Sequence, residues 1–356
     1  LFCPGHSVPE REAKSHGSGC LMQDDIKDIT IIGGGPTGLF GAFYAGVRQA
    51  TCRIIDSLPE LGGQLTALYP EKDIFDVGGF SKILAKDLAQ NLIDQGTQFG
   101  CDVVLDEEVS EVEREGDLFR LVGRSRSYLT KTIVIAGGKG AFEPKHLKVP
   151  GYHELLHNGV HYFVKDPDSY QDKRVIIVGG GDSALDWALI LKDKCSELTL
   201  VHRRETFRAH ESSVVALEEA LASGCISLHT FHEVRAIHGN GTVDGITIYD
   251  NRTDVDTRVE VDAVLCFLGF KPDLGPIKRW GLTVNKNRIV VNQLMETNVE
   301  GIYAAGDIVE YEGKIDLIVT GFSEVTIAVN NAVHSMNPSA RVNPGHSTNL
   351  PIFKDK

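Results

Sequence analysis

Two glycine clusters carry the first chemical signal. Gly33-Gly34-Gly35-Pro36-Thr37-Gly38 places glycine at the first, third and sixth positions. Between a strand and a helix, the first glycine permits a tight turn and the second lets the backbone approach a pyrophosphate. The third lets helix and strand pack closely. The helix start adds unpaired N–H donors and a positive dipole end. Asp56 stands 23 residues beyond Gly33, where a carboxylate can accept hydrogen bonds from both hydroxyls of a ribose. Gly179-Gly180-Gly181-Asp182-Ser183-Ala184 repeats the pattern with alanine in the last place, but 23 residues on stands His202, followed by Arg203, Arg204 and Arg208. Guanidinium groups suit a phosphate that a carboxylate would repel. The first site is therefore expected to take a dinucleotide with a free ribose, FAD or NAD. The second is expected to take one with a 2′-phosphate, NADPH. Two such sites on one chain suggest electron transfer between a fixed cofactor and an exchanging one, with a flavin in the first site.

The elements that must position these residues follow a strand–turn–helix grammar. Strands are expected at 29–32, 53–55, 103–105, 109–112, 119–122 and 132–136, and helices at Pro36–Gln49 and Phe80–Gln95, the latter with Ile83, Leu84, Leu88 and Leu92 on one face. The grammar restarts with a strand over 174–178, a helix over 182–194 and a strand over 198–201. The two loops lie about 146 residues apart, too long a period for a solenoid but suited to two nucleotide-binding domains. Alternating strands and helices imply parallel sheets with crossover helices. A third block from Pro276 carries a strand at 302–305, Gly306-Asp307, and a helix over 326–335 opened by Gly321-Phe322-Ser323-Glu324.

The expected organisation is a tail at 1–25, an FAD-binding domain built from 26–150 and 276–340, an NADPH-binding domain at 151–275, and a C-terminal extension at 341–356. The tail is read as flexible, or as an upstream remnant preceding Met22. The chain has 356 residues with 42% hydrophobic and 24% charged side chains, and a formal net charge of −13. That excludes a coiled coil, a collagen-like fibre and a disordered chain, and it disfavours nucleic acid as a partner. No run approaches a membrane span. Seven cysteines include no Cys-x-x-Cys, so no metal site is expected, and reduced thiols point to a cytoplasmic location.

Ile31 to Gly38, Leu61-Gly62-Gly63-Gln64-Leu65, Gly179 to Ala184 and Gly301-Ile302-Tyr303-Ala304-Ala305-Gly306-Asp307, in this order, resemble the thioredoxin-reductase-type flavoproteins. The likeness runs from about residue 28 to 348. It implies an α/β fold of two Rossmann-like, three-layer dinucleotide-binding domains. The region that holds a Cys-x-x-Cys in thioredoxin reductases is His161 to Asp168 here, without cysteine, and Thr37 stands where bacillithiol-type disulfide reductases place one. With Ala67 to Lys72, Gly140 to Lys145 and the extension, the chain resembles the ferredoxin–NADP(+) reductases of the thioredoxin-reductase type.

That resemblance implies one FAD per subunit, contacted by Gly33, Gly35, Thr37, Gly38, Asp56, Gln64, Tyr69, Val109, Phe142, Asp307 and Ser347. Tyr69 would stack on one flavin face and His346 would cover the other. Asp307, at a strand end, can accept a ribityl hydroxyl, and the helix opening at Ser323 to Thr326 can point its positive end at the flavin pyrimidine. NADPH is expected on Gly179, Gly181, Asp182, Ser183, His202, Arg203, Arg204 and Arg208. Hydride would pass from NADPH to the flavin and single electrons to ferredoxin or flavodoxin, with no obligatory protein acid, base or nucleophile.

The resemblance also implies a homodimer. An acidic carrier requires a locally basic surface on an acidic protein. Lys139, Lys145, His146 and Lys148 form one candidate run and Lys82 with Lys86 another. Two rivals stand beside this reading. One is an NADPH-dependent flavin reductase of a disulfide, quinone or other small acceptor. The other is a non-catalytic redox sensor.

Overall fold

The computed structural model describes residues 26–164 and 166–353, with the side chains of 141–144 and 270–272 left out. The expectations for residues 1–25 and 354–356, and for the Phe142 side chain, therefore lie outside the described residues.

Apolar β-branched runs build the first sheet. Strand Lys27–Ile32 pairs in parallel with Cys52–Ile55 on one side and Ser127–Ile135 on the other, and Cys52–Ile55 pairs with Asp102–Val104. Ile29, Ile31, Ile54, Ile133 and Ile135 are fully buried, as parallel strands covered on both faces require. Strand Ser127–Ile135 does two jobs. Its first half pairs antiparallel with Leu118–Gly123, which continues to Val109–Glu115, and its second half pairs in parallel with Ile302–Ala304. Residues from the far end of the sequence thus complete the first sheet. Helices α1 (Pro36–Val47), α3 (Ala85–Thr97) and α6 (Ile318–Met336) cover it, and the four-residue α2 (Gln64–Ala67) lies at its rim.

The second sheet is all parallel, in the order Val160–His161, Ala263–Phe267, Arg174–Gly179, Glu197–His202, Ser227–Thr230. Helices α4 (Asp182–Leu191) and α5 (Glu211–Ala222) cover one face, and an antiparallel meander of 232–239, 243–250 and 256–260 covers the other. The sequence reading identified neither α5 nor the meander. The chain passes between the two sheets through an antiparallel pair, Ala141–Pro144 with Phe270–Asp273.

Three expected elements differ. Phe80–Gln95 is not one helix: Ile83–Leu84 form a short strand against Asp73–Ile74, and α3 begins at Ala85. The expected helix over 182–194 stops at Leu191, where the chain turns toward the strand at 197. The last helix begins at Ile318 rather than near Ser323, so Ser323 to Thr326 lie inside it and cannot offer its positive end. That end belongs to Leu317 and Ile318. Among the described residues no helix is long and apolar enough to cross a membrane.

Candidate functional site

A cleft of about 1300 Å³ opens where the ends of the two sheets meet. Gly33, Gly35, Pro36 and Thr37 line one side of it and Asp182, Ser183, Asp186 and Trp187 the other. The glycines are explained by contact. Gly33 has φ of +112°, and a Cβ there would sit 2.4 Å from the Ala136 carbonyl oxygen. A Cβ on Gly38 would lie 1.9 Å from the Gly33 carbonyl oxygen, which is the close helix–strand approach read from the sequence. Gly35 differs: a Cβ there would meet nothing nearer than the Gly63 Cα at 3.8 Å, so its open side faces the cleft. No side chain caps α1, which leaves its first N–H groups available to an anion.

Asp56 is buried at the end of its strand. Its carboxylate accepts the Gly34 N–H with one oxygen and the Leu58 N–H, at 2.8 Å, with the other. Burial raises its pKa despite these bonds. The acid therefore fixes the glycine turn while still lining the cleft. Gln64, at the start of α2, Tyr69, Val109 and Asp307 also line it. Burial pushes the Tyr69 phenol up to about 12, helped by Asp307 and Asp76, so it stays neutral at working pH. Burial likewise raises the Asp307 carboxyl, against the pull of Lys139.

Sequence reasoning missed the device that holds Asp307. Glu324, buried on α6, accepts the Gly306 N–H, the Tyr311 hydroxyl and the Lys314 ammonium, each at 2.7 Å. Lys314 and Glu324 are only 4% and 3% exposed, so neither charge is satisfied by water. The clamp fixes the Gly306–Asp307 turn against Thr37, whose side chain fills the space a Cβ on Gly306 or Gly321 would need. The acid in Gly-Phe-Ser-Glu was the one available signal. Also missed was a cross-cleft ion pair, Lys72 Nζ to Asp186 Oδ2 at 2.8 Å.

The second loop has different neighbours. A Cβ on Gly180 would collide with the His202 ring, 2.1 Å from Nδ1. That ring stacks on Phe207 at 5.0 Å, and its Nε2–H donates to the Thr206 carbonyl at 3.0 Å. Burial lowers the His202 pKa, and Arg203 and Arg204 lower it further, so the ring is neutral. The structure therefore places His202 over the loop, seating it. The Arg208 N–H donates to the Gly180 carbonyl at 2.7 Å, and the His210 N–H to Asp182 Oδ1 at 2.8 Å. Both bonds hold the 203–210 segment against the loop. Arg203, Arg204 and Arg208 are exposed, and among the described residues no acid pairs with them. No side chain caps α4 at Gly181.

The residues fit the two groups the sequence implies: an open cradle at an uncapped helix start stands at each loop, with a buried acid beside one and unpaired cations beside the other. His346 and Ser347 are not brought to this cleft. They lie exposed in a tail that Arg48 ties down through the Arg341 and Val342 carbonyls, and whose Phe353 packs on Phe43 and Phe99, on the outer side of α1. Nor do all the expected docking lysines remain available. Lys82 pairs with Asp73 at 2.8 Å and Lys86 with Glu71 at 2.9 Å, which neutralises that run. Lys145 and Lys148 are exposed and unpaired among the described residues. None of the five described cysteines lines the cleft.

Fold and site together define a class: a chain that presents two dinucleotide loops to one cleft. The family profile for pyridine nucleotide-disulphide oxidoreductases matches residues 27–332, and the chain belongs to that family. Within it, a ferredoxin–NADP reductase of Thermus thermophilus is 48% identical over 328 residues, covering 92% of this chain and 98% of the relative. One from Halalkalibacterium halodurans is 48% identical over 330 residues, with 92% and 99% covered. At that identity over nearly the whole length, the chain is a member of the ferredoxin–NADP reductases. Thioredoxin reductase of T. acidophilum shares the fold with a TM-score of 0.75 and 25% identity, over 88% of this chain and all of that one.

Proposed function

We propose that the chain catalyses electron exchange between NADPH and ferredoxin or flavodoxin, with one FAD per subunit. The observation that carries this reading is the cleft itself: Gly33, Gly35, Pro36, Thr37 and Asp56 line it from the first motif, Asp182 and Ser183 line it from the second, whose unpaired arginines stand outside the lining, and no described cysteine stands in it to relay electrons to a disulfide. When bound, FAD supplies the step between two-electron hydride chemistry and single-electron transfer.

The protein's own residues orient and exclude. The start of α1 and the Gly35 opening hold the FAD pyrophosphate, with Asp56 on the adenosine ribose. Tyr69, a neutral flat face, shields one side of the ring system, and the Glu324 clamp keeps Asp307 aimed at the ribityl chain. The uncapped start of α6 at Leu317–Ile318 takes the role expected of Ser323 to Thr326, favouring negative charge beside the cleft. Arg203, Arg204 and Arg208 take the 2′-phosphate of NADPH, with His202 as their seat. The Lys72–Asp186 pair sets how closely α4 approaches the Tyr69 side of the cleft. Lys145 and Lys148, beside the strands that join the two sheets, face an acidic carrier. The assembly is a homodimer, and the location is the cytoplasm. His346 and Ser347 act at the flavin only if the tail leaves its place on α1 or belongs to a second copy.

The test is ferredoxin-dependent cytochrome c reduction set against NADPH oxidation with disulfides and quinones. Fast turnover only with ferredoxin or flavodoxin supports the reading. Preference for a small disulfide or quinone favours the rival reductase.

A further inference from the structure

The edge of the first sheet carries a feature that neither nucleotide loop uses. Strands Cys52–Ile55 and Asp102–Val104 pair in parallel with Arg53 opposite Asp102 and Ile54 opposite Val103. The residues one step earlier, Cys52 and Cys101, therefore stand opposite each other. Side chains alternate faces along a strand, so both thiols lie on the face away from Arg53 and Asp102, whose own side chains meet at 3.8 Å. Packing agrees: Cys52 belongs to the main apolar cluster and Cys101 packs against it. The Cys101 Sγ–H donates to the Asp102 carbonyl at 3.5 Å. Neighbouring strands run about 4.8 Å apart, inside the roughly 4.4–6.8 Å Cα separation that a disulfide spans.

The two sulfurs differ in access. Cys52 is buried and Cys101 half-exposed. Its neighbour Cys52 holds the Cys101 thiol below its usual range, outweighing burial, while Cys52 is pushed well up. Cys101 is thus the sulfur that ionises and meets an oxidant first, and Cys52 is placed to resolve it.

We propose that Cys52 and Cys101 are a redox modification site that closes to an intrachain disulfide under peroxide. The Cys101 thiolate attacks the O–O bond, forming a sulfenic acid and releasing one oxygen as water. The Cys52 sulfur then displaces the sulfenic hydroxyl as a second water. Two thiols lose two electrons and two protons, and hydrogen peroxide is reduced to two waters. A thiol reductant reopens the bond by exchange. The crosslink staples the start of the strand whose far end presents Asp56, and it does so to the edge strand whose Val104 carbonyl accepts the Asp56 N–H at 2.9 Å.

The experiment exposes the folded, flavin-loaded full chain to hydrogen peroxide, blocks free thiols by alkylation and maps non-reduced peptides by mass spectrometry. The expected result is one crosslinked pair joining Cys52 to Cys101, lighter by two hydrogens than its reduced halves and abolished by dithiothreitol. Cys195→Ser retains it. Cys52→Ser loses it and leaves Cys101 as the sulfenic acid, trapped by dimedone. Wild-type protein in which both thiols remain alkylatable would overturn the proposal. So would Cys101 bonded to any other cysteine, or Cys101 over-oxidised with no crosslink formed.

Discussion

The two glycine loops are built to one plan and finished differently. In the first, the acid at the end of the next strand is buried and turned inward, accepting the Gly34 N–H, so turn and acid form one rigid unit. In the second, the equivalent position is a neutral histidine lying over Gly180, and the charge is displaced onto exposed arginines beyond it. The first arrangement suits a ligand held permanently, because turn and acid are already fixed by the fold before the ligand arrives. The second suits one that comes and goes, because its cations are hydrated and free until a phosphate arrives.

The sharpest way to break this comparison is steric. Gly38→Val puts side-chain atoms within contact of the Gly33 carbonyl and should abolish flavin retention, read as loss of visible absorbance in the purified protein. Gly181→Ala is its control in the second loop. Its Cβ would meet nothing nearer than the Arg208 carbonyl at 3.6 Å, so the variant should keep its flavin and weaken only NADPH. Next in size is charge. Removing Arg203 and Arg204 together should raise the KM for NADPH by about 10- to 100-fold, the worth of one charge-assisted hydrogen bond, and leave NADH unchanged. An equal loss for both nucleotides would place the arginines off the 2′-phosphate.

A smaller effect separates the lysine runs. Lys145→Glu with Lys148→Glu should raise the KM for an acidic ferredoxin by about 3- to 10-fold without altering turnover with a small dye. The same reversal at Lys82 and Lys86 should do less, since Asp73 and Glu71 already cancel those charges. The smallest effect concerns pH. Burial lowers the pKa of His161, His202 and His229 from an ordinary value of 6.5. Below that value the unfolded chain takes up protons that the folded chain refuses, so stability falls as pH drops through about 6.5. A thermal melt series from pH 8 to 5 should show this slope, and His202→Gln should flatten it if the loop still seats.

The loops and Asp56 were legible in the sequence because turn, close approach and hydrogen-bonding acid each demand a residue type at a fixed spacing. Helix starts were less legible. Ile83 and Leu84 share a helical period with Leu88 and Leu92, yet they pair as a strand with Asp73 and Ile74, a partner that periodicity cannot supply. The N-cap position of the last helix is Leu317, a residue type that cannot cap, so the sequence places the start at the next polar cluster. The Glu324 clamp and the Lys72–Asp186 pair join residues from separate elements and leave no local pattern. For His346 and Ser347, a motif in a tail says nothing of where Arg48 and Phe353 anchor that tail.

The most direct test of the central claim, that opposite charge after matching turns separates a flavin site from a 2′-phosphate site, is anaerobic stopped-flow mixing of the yellow protein with NADPH and with NADH. Flavin bleaching at least about tenfold faster with NADPH at limiting concentration, one charge-assisted contact's worth of discrimination, is the predicted result. Equal rates with the two nucleotides, or a colourless protein that FAD does not reconstitute, would contradict it.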